Sequence, residues 1–218
     1  NPIVFHDDKF SGESRISKIR RIREKLTDHK VDVHLLTMLD EIAWTFNIRG
    51  NDVEYNPVAI SYAVISQQET RLFIQSSKVP ADVKTGLEKD GVAFSEYEEI
   101  FAYIQKLPVG INILIDPDKT SCALGESIPE NCQIKEGTSI PHAMKAIKNH
   151  VELEGIRKSQ IRDGVAMVKW MHWLDGQIGT VSHTEVTVTD KLTEFRRQGE
   201  YFQGLSFGTI CGYQANSA

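Results

Sequence analysis

The sequence predicts a mixed α/β domain, with helices packed over one sheet, followed by the beginning of a second domain. Over the first 140 residues, short apolar runs typical of strands alternate with amphipathic helical stretches. After Ile140 and Pro141, the pattern changes to a long helical stretch with few breaks. Residues 144–218 predict two helices and one strand, which is too little structure to enclose a core of its own.

The first predicted helix covers residues 14–28. Its apolar positions are spaced by three or four residues: Ile16, Ile19, Ile22 and Leu26. The other positions are mostly Arg and Lys, which we interpret as a solvated face. A partner-binding basic patch is the less favoured alternative, because Glu24 and Asp28 interrupt the positive charge.

The remaining elements of the first domain follow from β-rich runs, helical periodicity and turn residues. In order they are a strand at VDVHLL (31–36), a helix at LDEIAWTFNI (39–48), a turn at GNDVEYNP (50–57), a hairpin from VAISYAVIS (58–66) and RLFIQ (71–75), a helix from Pro80 to just before Gly91, a helix at YEEIFAYIQKL (97–107) and a strand at INILID (111–116).

The second domain is predicted to begin with a helix from His150 to about Leu174. A second helix near residues 184–198 follows, with Thr184 as its N-cap. The chain then enters an apolar stretch that predicts a strand in need of partners, with Phe202, Leu205, Phe207 and Ile210 as its apolar positions.

Composition limits the class of protein. The chain has 218 residues, of which 40% are apolar and 25% charged, and this balance is typical of a globular protein. A net charge of −5 gives no basic footprint for nucleic acid, and no apolar run approaches the roughly 18 residues of a membrane span. Three cysteines without a CxxC pair suit a reducing compartment. No signal peptide is visible, and because the first residue is not Met, the natural start is expected upstream.

A search for catalytic motifs is negative. The sequence has no HExxH, GxSxG or GxxxxGK[ST] motif and no pair of cysteine clusters. Its seven histidines are scattered, and each is expected at the surface or satisfied in the core. Asp40 and Glu41 are neighbours about 100° apart on a helix, so helix capping or solvent exposure is preferred over a shared site. Cys211 is interpreted as a small buried residue rather than a reactive thiol.

Three stretches carry a resemblance to a known family. LLTMLDEIAWTFNIRGNDVEYNPVAISYAVIS (35–66) resembles the middle domain of the three-domain Xaa-Pro aminopeptidases, through a DEIAW-x-x-N-x-RG-x-D-x-x-x-NP pattern. AIKNHVELEGIRKSQIRDGVAMVKWMHWL (146–174) resembles the helix that opens the pita-bread catalytic domain shared with prolidase and creatinase. EFRRQGEYFQGLSFGTICGYQANSA, the final stretch, is similar to the segment that leads into the active site.

The resemblance implies a domain plan. Residues 1–10 would be a linker from a missing N-terminal domain, and residues 11–143 a middle α/β domain of the creatinase-N-terminal-like, ribonuclease-H-like type with a mixed sheet. Residues 144–218 would be the incomplete start of an α+β pita-bread catalytic domain.

The resemblance also implies chemistry for the parent protein. It would be a metal-dependent aminopeptidase that removes the N-terminal residue of peptides with proline in second position. Two divalent metals, Mn or Zn, would activate a hydroxide. The expected metal ligands are two Asp, one His and two Glu downstream of Ala218. No catalytic residue or metal ligand is therefore assigned to this chain, which alone is expected to be inactive and metal-free. The parent is expected to be a cytoplasmic homodimer without nucleic-acid or membrane partners.

Two residues remain as candidates for a substrate cleft. Phe207 is the candidate pocket-wall residue, because it lies on the predicted strand leading to the active site; an ordinary core Phe is the alternative. Arg49 is the second, although a solvated turn residue is preferred. The rival function is a metal-free relative acting as an interaction module. A creatinase-like or prolidase-like specificity is disfavoured by the match over residues 35–66.

Overall fold

The computed structural model of the chain describes residues 1–217. They form two compact units, unit 1 (Asn1–Asn149) and unit 2, which begins at His150. The predicted domain boundary after residue 143 falls inside unit 1, within its last helix, and the division into domains stays a prediction.

Unit 1 contains eight strands, seven α-helices and two 3₁₀ turns, at Ser76–Lys78 and Tyr97–Glu99, among its described residues. The strands are β1 (Val4–Phe5), β2 (Val33–Leu36), β3 (Ile48–Arg49), β4 (Ser61–Ser66), β5 (Thr70–Ile74), β6 (Val92–Ser95), β7 (Asn112–Ile115) and β8 (Gln133–Glu136). The helices are α1 (Asp8–Ser11), α2 (Arg15–Asp28), α3 (Leu39–Phe46), α4 (Ala81–Lys89), α5 (Ile100–Ile104), α6 (Cys122–Glu126) and α7 (Ile140–Ala146).

The main sheet has six strands in the order β6-β5-β4-β2-β7-β8, and β1 pairs with β3 in a separate two-stranded sheet. The pairs β2–β4 and β4–β5 are antiparallel, whereas β5–β6, β2–β7 and β7–β8 are parallel. The mixed sheet confirms the predicted fold class, and the β4–β5 pair confirms the predicted hairpin.

Apolar side chains cover both faces of the central strands. Because side chains alternate along a strand, Leu36 and Ile65 enter the layer beneath α2 and α4, whereas Leu35 and Val64 enter the layer beneath α5 and α6. Burial on both faces explains why VAISYAVIS is mostly apolar rather than strictly alternating.

Residues 1–10, predicted to be a linker, pack into unit 1. Ile3 is fully buried and Val4 is paired with Arg49 across the β1–β3 sheet. The Phe5 ring occupies the space that a side chain at Gly86 would need, since a Cβ there would lie 2.7 Å from it. This contact explains a glycine in the middle of α4.

Helix α2 buries a different set of residues from the predicted stripe. Ile19, Ile22 and Leu26 are buried as expected, but Ile16 is 55% exposed. Lys18, assigned with the other basic residues to a solvated face, is 1% exposed. The solvated-face prediction is therefore wrong for Lys18, whose ammonium group has buried acceptors.

Unit 2 consists of α8 (His150–Gln177), α9 (Glu185–Arg197), a 3₁₀ turn at Gln214–Asn216 and irregular segments. The helix predictions are confirmed, and Thr184 caps α9 by accepting from the Thr187 N–H. The strand prediction is wrong, because residues 202–210 are irregular. The described part of unit 2 offers no strand with which they could pair. Nowhere in the described chain is a helix both long and apolar enough to cross a membrane.

Candidate functional site

The segment with the family pattern, residues 40–57, is called the motif segment here, and it begins inside α3. Its Trp44 carbonyl accepts a 2.9 Å hydrogen bond from Lys18 Nζ, which also lies 4.3 Å from the centre of the Trp44 ring. Lys18 donates a second bond to Asn47 Oδ1 at 2.6 Å. The buried ammonium group thus joins α2 to the end of α3.

Asn47 ends α3 in the left-handed conformation, with φ of 49°. Asparagine tolerates this conformation better than most residues. Its side-chain amide donates to Asp8 Oδ1 at 2.9 Å and to the Glu13 carbonyl at 2.8 Å. Asn47 therefore both terminates α3 and fixes the loop between α1 and α2.

The rest of the motif segment shapes the turn after α3. Arg49 donates to the carbonyls of Ala43 and Ile48, at 3.1 and 2.8 Å. Gly50 admits the close approach of Ala59, whose Cβ would lie 2.9 Å from a Cβ at Gly50. Asp52 accepts from Lys78 Nζ and the Ile60 N–H, both at 2.8 Å. Burial opposes ionisation of Asp52, but these bonds outweigh it and lower its pKa. Arg49 thus contacts carbonyls at the end of α3 and is half-buried.

The acidic pair at the start of α3 contacts α7 with both carboxylates. Asp40 accepts from Lys145 Nζ at 2.5 Å. Glu41 is 1% exposed and accepts from the Ser139 hydroxyl at 2.5 Å, while His142 Nδ1 lies 3.2 Å from its other oxygen. The preferred interpretation of the pair as capping or solvent-exposed is wrong for Glu41. Its partners are about one hundred residues away in the sequence and give no local signal.

His34, on β2, extends this contact into the core. Its ring is fully buried, with Nδ1 3.1 Å from the Leu114 carbonyl. Nε2 accepts from the Ile140 N–H at 3.2 Å and lies 3.2 Å from Ser139 Oγ. The expectation of a core-satisfied histidine is confirmed for His34. We call His34, Glu41, Ser139 and His142 the α3–α7 polar cluster.

Burial shifts the pKa values of His34 and Glu41 in this cluster. It lowers the pKa of His34 to about 4, so the ring is neutral near pH 7. Burial raises the pKa of Glu41, and the charge on Asp40 adds to that effect, although the Ser139 hydroxyl and His142 oppose it. The cluster therefore favours uncharged side chains inside unit 1.

Unit 2 carries the candidate Phe207, which lies on a bend and is 60% exposed. Two cavities lie in unit 2 among the described residues, and Phe207 lines neither of them. The larger, of about 480 Å³, lies against α8 and α9 and is lined by His172, Trp173 and Phe195 among others. The assignment of Phe207 to a pocket wall stays a prediction.

Metal binding has no candidate ligand set in the residues that the structure describes. No group of three or more His, Cys, Asp or Glu side chains among them could hold a metal ion. The α3–α7 polar cluster does not fit one either, because the Glu41 carboxylate and both ring nitrogens of His34 already have protein partners. We assign no metal ligand to this chain.

The family model described as the creatinase/prolidase N-terminal domain matches residues 1–152. Curated relatives align over nearly the whole chain. A Xaa-Pro aminopeptidase 1 of Dictyostelium discoideum is 37% identical and aligns with 100% of this chain and 35% of its own length. A probable Xaa-Pro aminopeptidase P of Laccaria bicolor is 40% identical, over 99% of this chain and 34% of its own. The chain thus spans about a third of the length of these relatives.

Among solved structures, the X-prolyl aminopeptidase of Caenorhabditis elegans superposes with a TM-score of 0.89 at 32% identity. The match covers 96% of this chain and 35% of that protein, which is described as a cytosolic enzyme with a di-nuclear active site. The motif segment and the α3–α7 polar cluster lie within the region of the family match.

Proposed function

This chain belongs to the creatinase/prolidase N-terminal domain family, and from that membership we propose that it is part of a metal-dependent Xaa-Pro aminopeptidase. The observation that carries the proposal is the alignment of essentially the whole chain, at 37–40% identity, with proteins of that name. The di-nuclear active site described for the C. elegans neighbour agrees with metal dependence.

The proposed reaction removes the first residue of a peptide whose second residue is proline. A peptide bond before proline lacks an N–H, and the ring fixes φ, so a general peptidase cannot grip this bond in the usual way. A pair of divalent metals, where bound in the whole protein, would supply Lewis-acid chemistry that activates water near neutral pH and polarises the scissile carbonyl. We place their ligands downstream of Ala218 and leave Mn or Zn open, because carboxylate-rich sites accept both.

Within that protein, we propose a scaffold role for most of this chain. Residues 1–10 would lead in from a preceding domain, 11–143 would be the middle domain, and 144–218 would open the catalytic domain. The motif segment supports this role, because its side chains Asn47, Arg49 and Asp52 all form hydrogen bonds with other residues of unit 1. Phe207 is proposed as an apolar wall of the substrate pocket, where its exposed ring would meet the peptide.

The setting of the whole protein is part of the same proposal. We propose a cytoplasmic homodimer that binds peptides and neither nucleic acid nor membranes. The net charge of −5 supports the exclusion of nucleic acid.

The test compares the full-length parent with this 218-residue chain. Both are assayed on a tripeptide with proline in second position and on the same peptide with alanine there, with Mn²⁺, with Zn²⁺ and with a chelator. We expect metal-dependent cleavage of the proline peptide by the parent and no turnover by the chain. A parent that folds but cleaves neither peptide would favour the metal-free interaction module. Turnover by the chain would contradict the placement of the metal ligands.

A further inference from the structure

The first turn of helix α7 is held by a hydrogen bond to a histidine ring. Ser139 is its N-cap residue, yet its hydroxyl caps no helix N–H and donates to Glu41 instead. The first helical N–H, that of Ile140, is accepted by the His34 ring at 3.2 Å. The Ser139 N–H is accepted by Asp116 at 3.2 Å. A buried imidazole therefore accepts the N–H of the first helical residue, whereas the second, Pro141, has no N–H to cap.

We propose that the α3–α7 polar cluster is an acid-sensitive latch, which holds the start of α7 while the His34 ring is neutral and loosens it when that ring takes up a proton.

The direction of the hydrogen bonds requires a neutral ring. A carbonyl only accepts, so the Leu114 carbonyl fixes the proton of the neutral imidazole on Nδ1. Nε2 is then an acceptor for the Ile140 N–H. A proton on Nε2 would place two donors against each other, and the Ile140 N–H would lose its partner in a buried place.

Glu41 gives the cluster one protonation step that leaves the latch closed. When Glu41 is ionised, the Ser139 hydroxyl donates to it at 2.5 Å. When Glu41 is neutral, its proton can lie on the oxygen that faces His142 Nδ1, 3.2 Å away, and be donated to that nitrogen. The Ser139 hydroxyl then continues to donate to the other Glu41 oxygen, and His34 Nε2 still accepts from the Ile140 N–H. Only protonation of His34 leaves a backbone donor without an acceptor.

Other charges bear on the cluster from three elements. Asp116, after β7, favours a protonated His34, and Asp40 on α3 favours a neutral Glu41. Lys145 on α7 is paired with Asp40, which limits its effect on Glu41. Burial of the ring opposes Asp116 and is the larger influence, so the latch stays closed until the solution is clearly acidic.

The latch acts where the chain leaves unit 1. Helix α7 is the last helix of unit 1, and α8 begins at His150, a few residues beyond it. A loosened first turn of α7 would give this exit segment greater freedom while the six-stranded sheet remains intact.

The test is amide hydrogen exchange by NMR on the 218-residue chain between pH 7 and pH 4. Protection of the amides of residue 140 and residues 142–144, corrected for the intrinsic pH effect and compared with that of β4, is expected to fall about tenfold or more, as for loss of one buried hydrogen bond. His34→Gln, which does not titrate and can still accept, should abolish the fall. His29→Gln, at an exposed histidine, should keep it.

Two further results decide the proposal. Glu41→Gln mimics the neutral carboxyl and should retain the fall; loss of the fall in this variant, with retention in His34→Gln, would overturn the latch. If His34→Gln fails to fold, the ¹⁵N shifts of the wild-type ring decide. Proton uptake by His34 that coincides with the loss of α7 protection supports the latch, and protection that is independent of this uptake contradicts it.

Discussion

Unit 1 and the described part of unit 2 differ in how many of their apolar side chains are buried. Unit 1 buries apolar residues on both faces of its sheet, in two clusters. In the described part of unit 2, the buried apolar residues are Ala166, Val188 and Leu192. Helix α8 alone exposes six large ones: Leu153, Ile156, Ile161, Val165, Val168 and Met171. A side-chain cap begins α9, but two helices alone bury few apolar side chains, because a core needs a second layer.

Amide hydrogen exchange should reveal the largest difference between the units. We expect the amides of β2, β4 and β5 to be protected about a thousandfold or more above those of α8 and α9, because helices with little buried surface open locally. The measurement is exchange by mass spectrometry or NMR on the whole chain at neutral pH. Uniform protection across residues 11–140 and 150–217 would contradict the expected difference between the two units.

Large-to-small substitutions should follow the same division. Phe73→Ala removes a fully buried ring from β5 and should reduce the free energy of unfolding by about 3–5 kcal/mol. Val168→Ala, at a residue that is 67% exposed, should change it by no more than about 0.5 kcal/mol. Urea denaturation followed by fluorescence measures both. Equal effects would contradict the difference in burial between Phe73 and Val168.

The buried Lys18 offers a polar test of unit 1. Lys18→Met keeps most of the side-chain volume but leaves the Trp44 carbonyl and Asn47 Oδ1 without this donor. We expect a loss of about 2 kcal/mol, the cost of buried acceptors left unpaired. Lys25→Met, at a side chain that is 54% exposed on the same helix, is the control and should be nearly neutral. A neutral Lys18→Met would show that water replaces the ammonium group.

Two groups of the α3–α7 polar cluster, Glu41 and His34, predict opposite pH effects on stability. The pKa of Glu41 is raised on folding, so its contribution is present below its ordinary pKa and is lost as pH rises through the folded value. The pKa of His34 falls to about 4, so its contribution is present above about pH 6.5 and is lost toward pH 4.

Glu41→Gln isolates the first effect. It should leave acid stability unchanged and raise stability at pH 7–8 by up to about 1 kcal/mol, because a buried charge is removed while its hydrogen bonds are kept. Thermal unfolding across pH 4–8 measures this change. A variant that is destabilised at pH 8 would indicate that the ionised carboxylate is a net stabilising group.

The smallest effect is expected in unit 2. Thr184→Ala removes the side-chain cap of α9 and should cost about 1 kcal/mol of local helix stability. Thr193→Ala, within the same helix, is the control and should cost less, because its hydroxyl bonds only the Thr189 carbonyl one turn earlier. Far-ultraviolet circular dichroism during mild heating follows the loss of helix. Equal effects would contradict the role of the cap.

The sequence predicted the elements that carry local signals. The β4–β5 hairpin, α9 with its Thr184 cap and the strand at 31–36 all follow from patterns within a few residues. Strand β8 was missed because QIKE is mostly exposed at the edge of the sheet and lacks an apolar pattern. The strand predicted at residues 202–210 did not form, because a strand also needs a neighbour.

The buried polar contacts of Glu41 and Lys18 could not be predicted, because their partners are far away in the sequence. Ser139 and Glu41 are 98 positions apart, and Lys18 and Asn47 are 29 apart. Nothing near Glu41 or Lys18 in the sequence distinguishes either from an exposed charged residue on an amphipathic helix. Only the folded chain provides the acceptors and donors that make their burial tolerable.

The strand order has a consequence for synthesis. The neighbours β6, β5, β4 and β2 come from one continuous stretch, residues 33–95, whereas β7 must return from residue 112 to pair with β2. Four strands can therefore associate as the chain leaves the ribosome, through contacts that close short loops quickly. The edge formed by β7 and β8 is added last. A pause in translation after β6 has emerged from the ribosome and before β7 has emerged should favour the nascent four-stranded sheet as an intermediate.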